Sequence, residues 1–189
     1  MCQMNGTVLM GVDLNRRQIE LPETVTAIAD GAFRGAKNLE HLDVERLKGL
    51  QTIGAYAFAD CPKLGGVNLP ESVSYIGEGA FSNSTNIGFC RLNCQITELP
   101  ANLFAGCTKL SKPTLAEGLQ KIGSGAFRNC TGLIILDIPT SLTEIAPDAF
   151  EGCTSLSQVI IHEKTQRVIA EQIKQSAKRK KLTITVKKI

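Results

Sequence analysis

Two histidines, seven cysteines, a Gly-Ser-Gly step and a run of lysines and arginines are the residues of this chain whose types could do chemistry. A histidine beside a carboxylate and a nucleophile could run acid–base catalysis, and His41 does stand near Glu40 and Asp43. A strand, however, sends Glu40 and His41 to opposite faces, and no nucleophile accompanies them. His162 belongs to the other end of the chain, so no triad can be assembled. Cys90 and Cys94 are spaced C-x-x-x-C with no second pair and no nearby histidine, a poor zinc signature. Gly123-Ser124-Gly125 resembles a phosphate cradle only out of context, because it falls inside a recurring frame and reads as a turn. Neither a catalytic, a metal nor a cofactor site is expected.

The charge is segregated. Residues 163–189 carry nine Lys or Arg against two Glu, a net of +7, whereas residues 1–162 carry twelve basic and sixteen acidic residues, a net of −4. Lys178, Arg179, Lys180 and Lys181 form a basic patch that could tether the chain to anionic membrane or nucleic acid. The cluster is single and has no aromatic interleaved, so a solvated cap is the favoured reading.

What must position these residues is a repeat. Phe33, Phe58, Phe81, Phe104, Phe127 and Phe150 are separated by 25, 23, 23, 23 and 23 residues, which marks successive turns of a solenoid. Two residues after each Phe stand Gly35, Asp60, Asn83, Gly106, Asn129 and Gly152, the types that best accept positive φ, so a tight reversal is expected there. One residue further come Ala36, Cys61, Ser84, Cys107, Cys130 and Cys153, small side chains for closely stacked coils. Four of the seven cysteines thus fill one column, and Cys90 fills an inward strand column. Coils roughly 4.8 Å apart would allow bridging by distance, but parallel side chains in a tight ladder favour buried free thiols.

Six, nine and eleven residues after the Phe lie apolar columns such as Leu64, Val67, Leu69 and Leu133, Leu136, Ile138. The last two alternate as a strand with one face inward. A second apolar pair, Val73 with Ile76 or Leu142 with Ile145, lines the opposite wall. Positions eight and ten after each Phe then face outward in two rows: Gln18, His41, Gly66, Phe89, Lys112, Ile135, Gln158, and Glu20, Asp43, Asn68, Arg91, Thr114, Asp137, Ile160. Phe89 and Ile135 are apolar groups placed toward solvent from an ordered sheet. They suggest a protein contact patch anchored by Phe89, with His41, Asp43, Arg91, Lys112 and Asp137 as polar surroundings.

Length and a 43% hydrophobic content fit one domain. Residues 1–18 read as a cap hairpin in which Val8–Val12 pairs with Gln18–Leu21, residues 19–162 as about six 23-residue repeats, and residues 163–189 as a helix–strand cap with Ile169, Ile173 and Ala177 on one helical face. Two extra residues at Arg46–Gly49 predict a bulged corner, and Pro113, in an inward strand place, predicts a broken strand. No export signal or membrane-length run is visible. As written, the chain is expected to stay in the cytoplasm, or to reach the surface if a leader was removed.

The frame Leu-Pro-Glu-Ser-Val-Ser-Tyr-Ile-Gly-Glu-Gly-Ala-Phe at 69–81, with Phe-Arg-Asn-Cys-Thr-Gly-Leu at 127–133, resembles the BspA-type leucine-rich repeat, also called the Treponema pallidum type, over about Ile19 to Ile161. The resemblance implies a mainly β repeat solenoid: a right-handed curved horseshoe with a parallel concave sheet and short strands or helical turns on the convex side. It implies bacterial or protozoan surface proteins that adhere to or bind host or matrix proteins, usually exported, with no shared catalytic residues. A monomeric, non-catalytic protein-binding module without a small-molecule substrate is the expectation.

Overall fold

The computed structural model describes residues 2–92, 94–162, 167–178 and 181–187. The strands in the first half are β1 (Gln3–Asn5), β2 (Val8–Gly11), β3 (Ala27–Ile28), β4 (Thr52–Ile53), β5 (Gly66–Leu69), β6 (Tyr75–Ile76) and β7 (Phe89–Leu92). There follow β8 (Glu98–Leu99), β9 (Lys121–Ile122), β10 (Ile135–Asp137), β11 (Glu144–Ile145), β12 (Gln158–Ile161), helix α1 (Arg167–Ser176) and β13 (Thr183–Val186). Together they wind about seven coils of a parallel solenoid, the leucine-rich-repeat horseshoe.

Two walls enclose one line of core. The concave wall pairs β5 with β7 and β10 with β12 and β13, all parallel; between repeats the register is the one that the 23-residue spacing requires, with Gly66 beside Phe89, Asn68 beside Arg91 and Ile135 beside Gln158, and the cap strand β13 pairs at 25. The opposite wall stacks β2, β3, β4 and β6, and then β8, β9 and β11. Its inward residues Ile28, Ile53, Ile76, Leu99, Ile122 and Ile145 are buried. Between β6 and β8 this ladder is interrupted, and the Gln95 amide bonds the Val73 carbonyl instead (2.9 Å).

Between the walls runs the phenylalanine row. All six rings are 0–1% exposed and stack face to face at 4.8–5.6 Å, contacts that contribute roughly 0.5–1.5 kcal/mol per pair beyond burial. The turn column behaves as its residue types require: Gly35, Asp60, Asn83, Gly106, Asn129 and Gly152 all have φ between 57° and 76°. A second left-handed column stands two residues before the Phe, at Gly31, Tyr56, Gly79, Asn102 and Gly125. These reversals aim each backbone amide at the next coil. Phe33, Phe58, Phe81, Phe104 and Phe127 donate to the carbonyls of Ala57, Ala80, Leu103, Ala126 and Ala149 at 2.7–3.0 Å.

The cysteine column completes this ladder. All seven cysteines are free. Cys61, Cys107, Cys130 and Cys153 donate S–H to the carbonyls of Phe33, Phe81, Phe104 and Phe127 at 3.0–3.2 Å, and Ser84 does the same to Phe58 with its hydroxyl at 2.7 Å. For Phe33, Phe81, Phe104 and Phe127 this is a second bond beside that from the amide three residues on, whereas at Phe58 the Cys61 amide goes to the Ser84 hydroxyl (3.0 Å) and that hydroxyl serves the carbonyl in its place.

Both ends are covered. The N-terminal hairpin differs from the sequence expectation: β2 turns back on β1 through Gly6 (φ 58°) and pairs parallel with β3, while Gln18 makes only an isolated bridge to His41. The reason is the core, because Leu9, fully buried, extends the inward column of Ile28, Ile53 and Ile76. At the other end α1 buries Ile169, Ala170 and Ile173. Ser176, on the same buried face, accepts the Phe150 amide at 2.9 Å, standing in for the coil that is not there.

The two predicted irregularities are present. Residues 45–46 and 48–49 form consecutive turns, and the Arg46 guanidinium bonds the Leu21 carbonyl at 2.7 Å. At Pro113, buried in the inward place, the strand shrinks to a single bridge between Thr114 and Arg91, because proline has no amide for the ladder. The concave sheet is thereby split in two.

Candidate protein-binding face

The split sheet carries two clefts. The first, of about 630 Å³, lies on the N-terminal half, between the rows that begin at Gln18 and Glu20 and the Phe89 ring. Gly66 explains the ring's pose: it lies over the glycine's Cα, where any Cβ would overlap it, so the missing side chain opens the seat. Phe89 nevertheless stays 51% exposed. His41 and Asp43 line the same cleft, as do Glu20, Glu45 and Asn68.

The second cleft, of about 740 Å³, lies across the Pro113 break and is lined by Lys112, Asp137 and His162 among others. Here one carboxylate already has its partners. Asp137 accepts from His162 Nε2 at 2.8 Å and from Lys187 Nζ at 3.0 Å. Burial pushes the Asp137 carboxyl up, but the hydrogen bonds and positive charge of His162 and Lys187 outweigh it and hold the group below the usual carboxylate range.

Of the seven sequence-predicted contact residues, the fold thus brings Phe89, His41 and Asp43 together and puts Lys112 and Asp137 in the other cleft. Arg91 is exposed in the row beside Asn68 and lines neither. Ile135 is half-buried beside Gln158, and the more exposed apolar group is its neighbour Ile134, at 46%. One outward assignment is corrected: Ile160 is only 8% exposed, because β13 extends the sheet past it and the Lys187–Asp137 bridge spans its strand. In the basic patch, Lys178 bonds Glu151 at 3.1 Å and Lys181 is exposed, while Arg179 and Lys180 lie outside the described residues.

Glu45 went unnoticed in the sequence because it follows the strand and falls outside the alternating rows. Glu20 and Asn68 were legible as row members but carried no anomaly to single them out. Ser176 had a signal, as a polar residue on the apolar face of a short amphipathic helix.

Residues 13–131 and 89–189 match the BspA type leucine rich repeat region, which the chain carries in 6 copies. The chain belongs to the BspA-type leucine-rich repeat family. No curated protein matches it. Among solved structures it is similar to a leucine-rich repeat protein from Eubacterium ventriosum, at 26% identity and a TM-score of 0.76, over 81% of this chain and 41% of that one. It is also similar to a leucine rich cell surface protein from Faecalibacterium prausnitzii, at 26% identity and a TM-score of 0.59, over 78% of this chain and 54% of that one. The chain therefore spans about half, or less, of those two proteins. The leucine-rich repeat protein of T. pallidum shares the fold at 20% identity and a TM-score of 0.69, with 88% and 87% covered. Leucine-rich-repeat solenoids in general are non-catalytic scaffolds and typically bind protein partners.

Proposed function

We propose that this BspA-type chain is a non-catalytic protein-interaction module, monomeric, that holds a protein partner on its concave sheet, with Phe89 as the anchor and His41, Asp43 and Arg91 at its margin. The observation that carries this reading is Phe89 itself: a half-exposed aromatic seated on a glycine at the wall of a cleft, while the six rings of the phenylalanine row are buried. Isolated exposed apolar groups are ordinary, but an aromatic fixed by its seat and open on one side has the character of an interface anchor. The likeness to a cell surface protein supports a place for the chain in surface adhesion. His41 and His162 line different clefts, which speaks against a shared catalytic site.

The tether reading is the weaker one. Lys178 and Lys187 are engaged by Glu151 and Asp137, so part of the basic segment's charge already serves the cap.

The test is affinity capture from the native source, with the wild-type chain set beside Phe89→Ala and Arg91→Glu. The partner should be retained by wild type and lost by both variants, whose melting temperatures should match it. A partner retained equally by all three would remove the concave face from consideration.

A further inference from the structure

Four features of the N-terminal cleft concern its charge. Glu20, Asp43 and Glu45 line it, and among the described residues none of the three forms an ion pair. The one arginine in the lining, Arg46, has its guanidinium committed to the Leu21 carbonyl at 2.7 Å and to Glu23 at 3.8 Å. Glu45 accepts the Asn68 side-chain amide at 3.2 Å, and Asp43 accepts the Arg46 backbone amide at 3.4 Å, so both carboxylates are held by neutral donors, while Lys48 gives its ammonium to the Glu45 main-chain carbonyl at 3.2 Å. Beside them the outer face of the Phe89 ring is open to solvent. In the C-terminal cleft the corresponding carboxylate, Asp137, is matched by His162 and Lys187.

We propose that the N-terminal cleft takes an extended, lysine- or arginine-bearing segment of the protein partner, with the cation entering among Glu20, Asp43 and Glu45 against the face of Phe89. The inference rests on the reading of the concave sheet as a protein-binding face and adds the chemistry of what it binds. Carboxylates supply the attraction and the aromatic face supplies a second, geometry-dependent contact with the cation. The open cleft, bordered by the Gln18–His41 bridge and the parallel β5–β7 pair, suits an extended backbone. Since the charges are solvent-facing, binding should weaken with salt over the range in which the screening length falls below about 10 Å.

The experiment uses the full chain and a fluorescent peptide of alternating lysine and threonine, with glutamate–threonine and glutamine–threonine peptides as counterparts, followed by anisotropy. Saturable one-to-one binding is expected for the lysine peptide alone. It should weaken about tenfold or more in the triple variant Glu20→Gln, Asp43→Asn, Glu45→Gln, and comparably in Phe89→Ala, which keeps every charge. Neutralising Glu71 and Glu117 in the other cleft should change nothing. Equal binding by the triple variant, equal binding by Phe89→Ala, or an equal loss on neutralising Glu71 and Glu117 would each overturn the proposal. So would concentration-dependent self-association abolished by the triple variant, which would assign the cleft to the basic C-terminal segment of a second copy. In the capture assay, a partner lost by Phe89→Ala but held by the triple variant sinks the basic-segment chemistry and leaves the protein-binding reading standing. A partner held by both sinks that reading itself.

Discussion

Phe81 and Phe89 are eight residues apart in one coil and meet opposite fates. Phe81 is fully buried between Phe58 and Phe104, at 5.3 and 5.5 Å, with its amide and carbonyl both taken by the next coil. Phe89 rests one face on Gly66 and shows the other to water. The contrast extends to the polar groups around them. In the phenylalanine row every carbonyl that the next coil can reach has its own S–H or O–H donor, whereas Glu20, Asp43 and Glu45 by Phe89 form no ion pair among the described residues. Interior groups are completed by the chain itself, and the groups by Phe89 are left for something else to complete. Asp137 in the C-terminal cleft stands between these extremes, on the face yet bonded from within by His162 and Lys187.

The sharpest way to break this comparison is to truncate one ring of each kind. Phe127→Ala should lower the stability by about 3–5 kcal/mol in chemical denaturation, because it opens a cavity in a stacked row. A loss near zero would mean that the row is not the core.

The thiol column offers the next largest effect. Burial pushes Cys61 and Cys94 up to about 11 and Cys107 and Cys153 up to about 12, and raises Cys90 and Cys130 well above the ordinary value. Since the folded values are raised, their contribution is complete below the unfolded thiol value of about 8.5 and is lost as pH climbs through the folded ones. Stability should therefore fall from about pH 9 upward. At neutral pH a thiol reagent should label one cysteine per native chain, the partly exposed Cys2, and the other six only on unfolding. Rapid native labelling of Cys130 would contradict the burial.

A smaller effect belongs to Asp137 in the C-terminal cleft. Asp137→Asn should cost about 1 kcal/mol at neutral pH through loss of the charge-assisted bonds from His162 and Lys187. The Asp137 value is depressed on folding, so the gap between wild type and variant should hold above about pH 4 and close as pH falls through the folded value. A gap that does not narrow at all in acid would show that charge is not its source.

The smallest effect sharpens the contrast with Phe127. Phe89→Ala should move the melting temperature by the equivalent of less than about 0.5 kcal/mol, as for an exposed site, while removing the anchor of the proposed interface.

How much of this was legible beforehand follows from which residues recur. The solenoid, its register and the buried phenylalanine row could be read directly, because each coil repeats the same demands at 23-residue spacing and a repeated demand stands out from composition. Pro113 announced the break in the concave sheet by its missing amide. The outward rows containing His41, Phe89 and Asp137 could be read too, since strand alternation decides which side a residue faces. Alternation says nothing of how far a side chain then travels along the sheet, so the division of those rows into two clefts was not legible.

By itself, then, the chain's periodicity determined the coil, the core and the face on which each strand residue emerges, since these depend only on spacing and residue type. Tertiary structure alone decided that Phe89 lies over Gly66, that Lys187 reaches back to Asp137 and closes Ile160 in, and that Ser176 stands in for the absent coil behind Phe150. Each of these joins residues more than twenty positions apart through side-chain reach and the shape of a neighbouring strand, quantities that exist only once the coils are stacked.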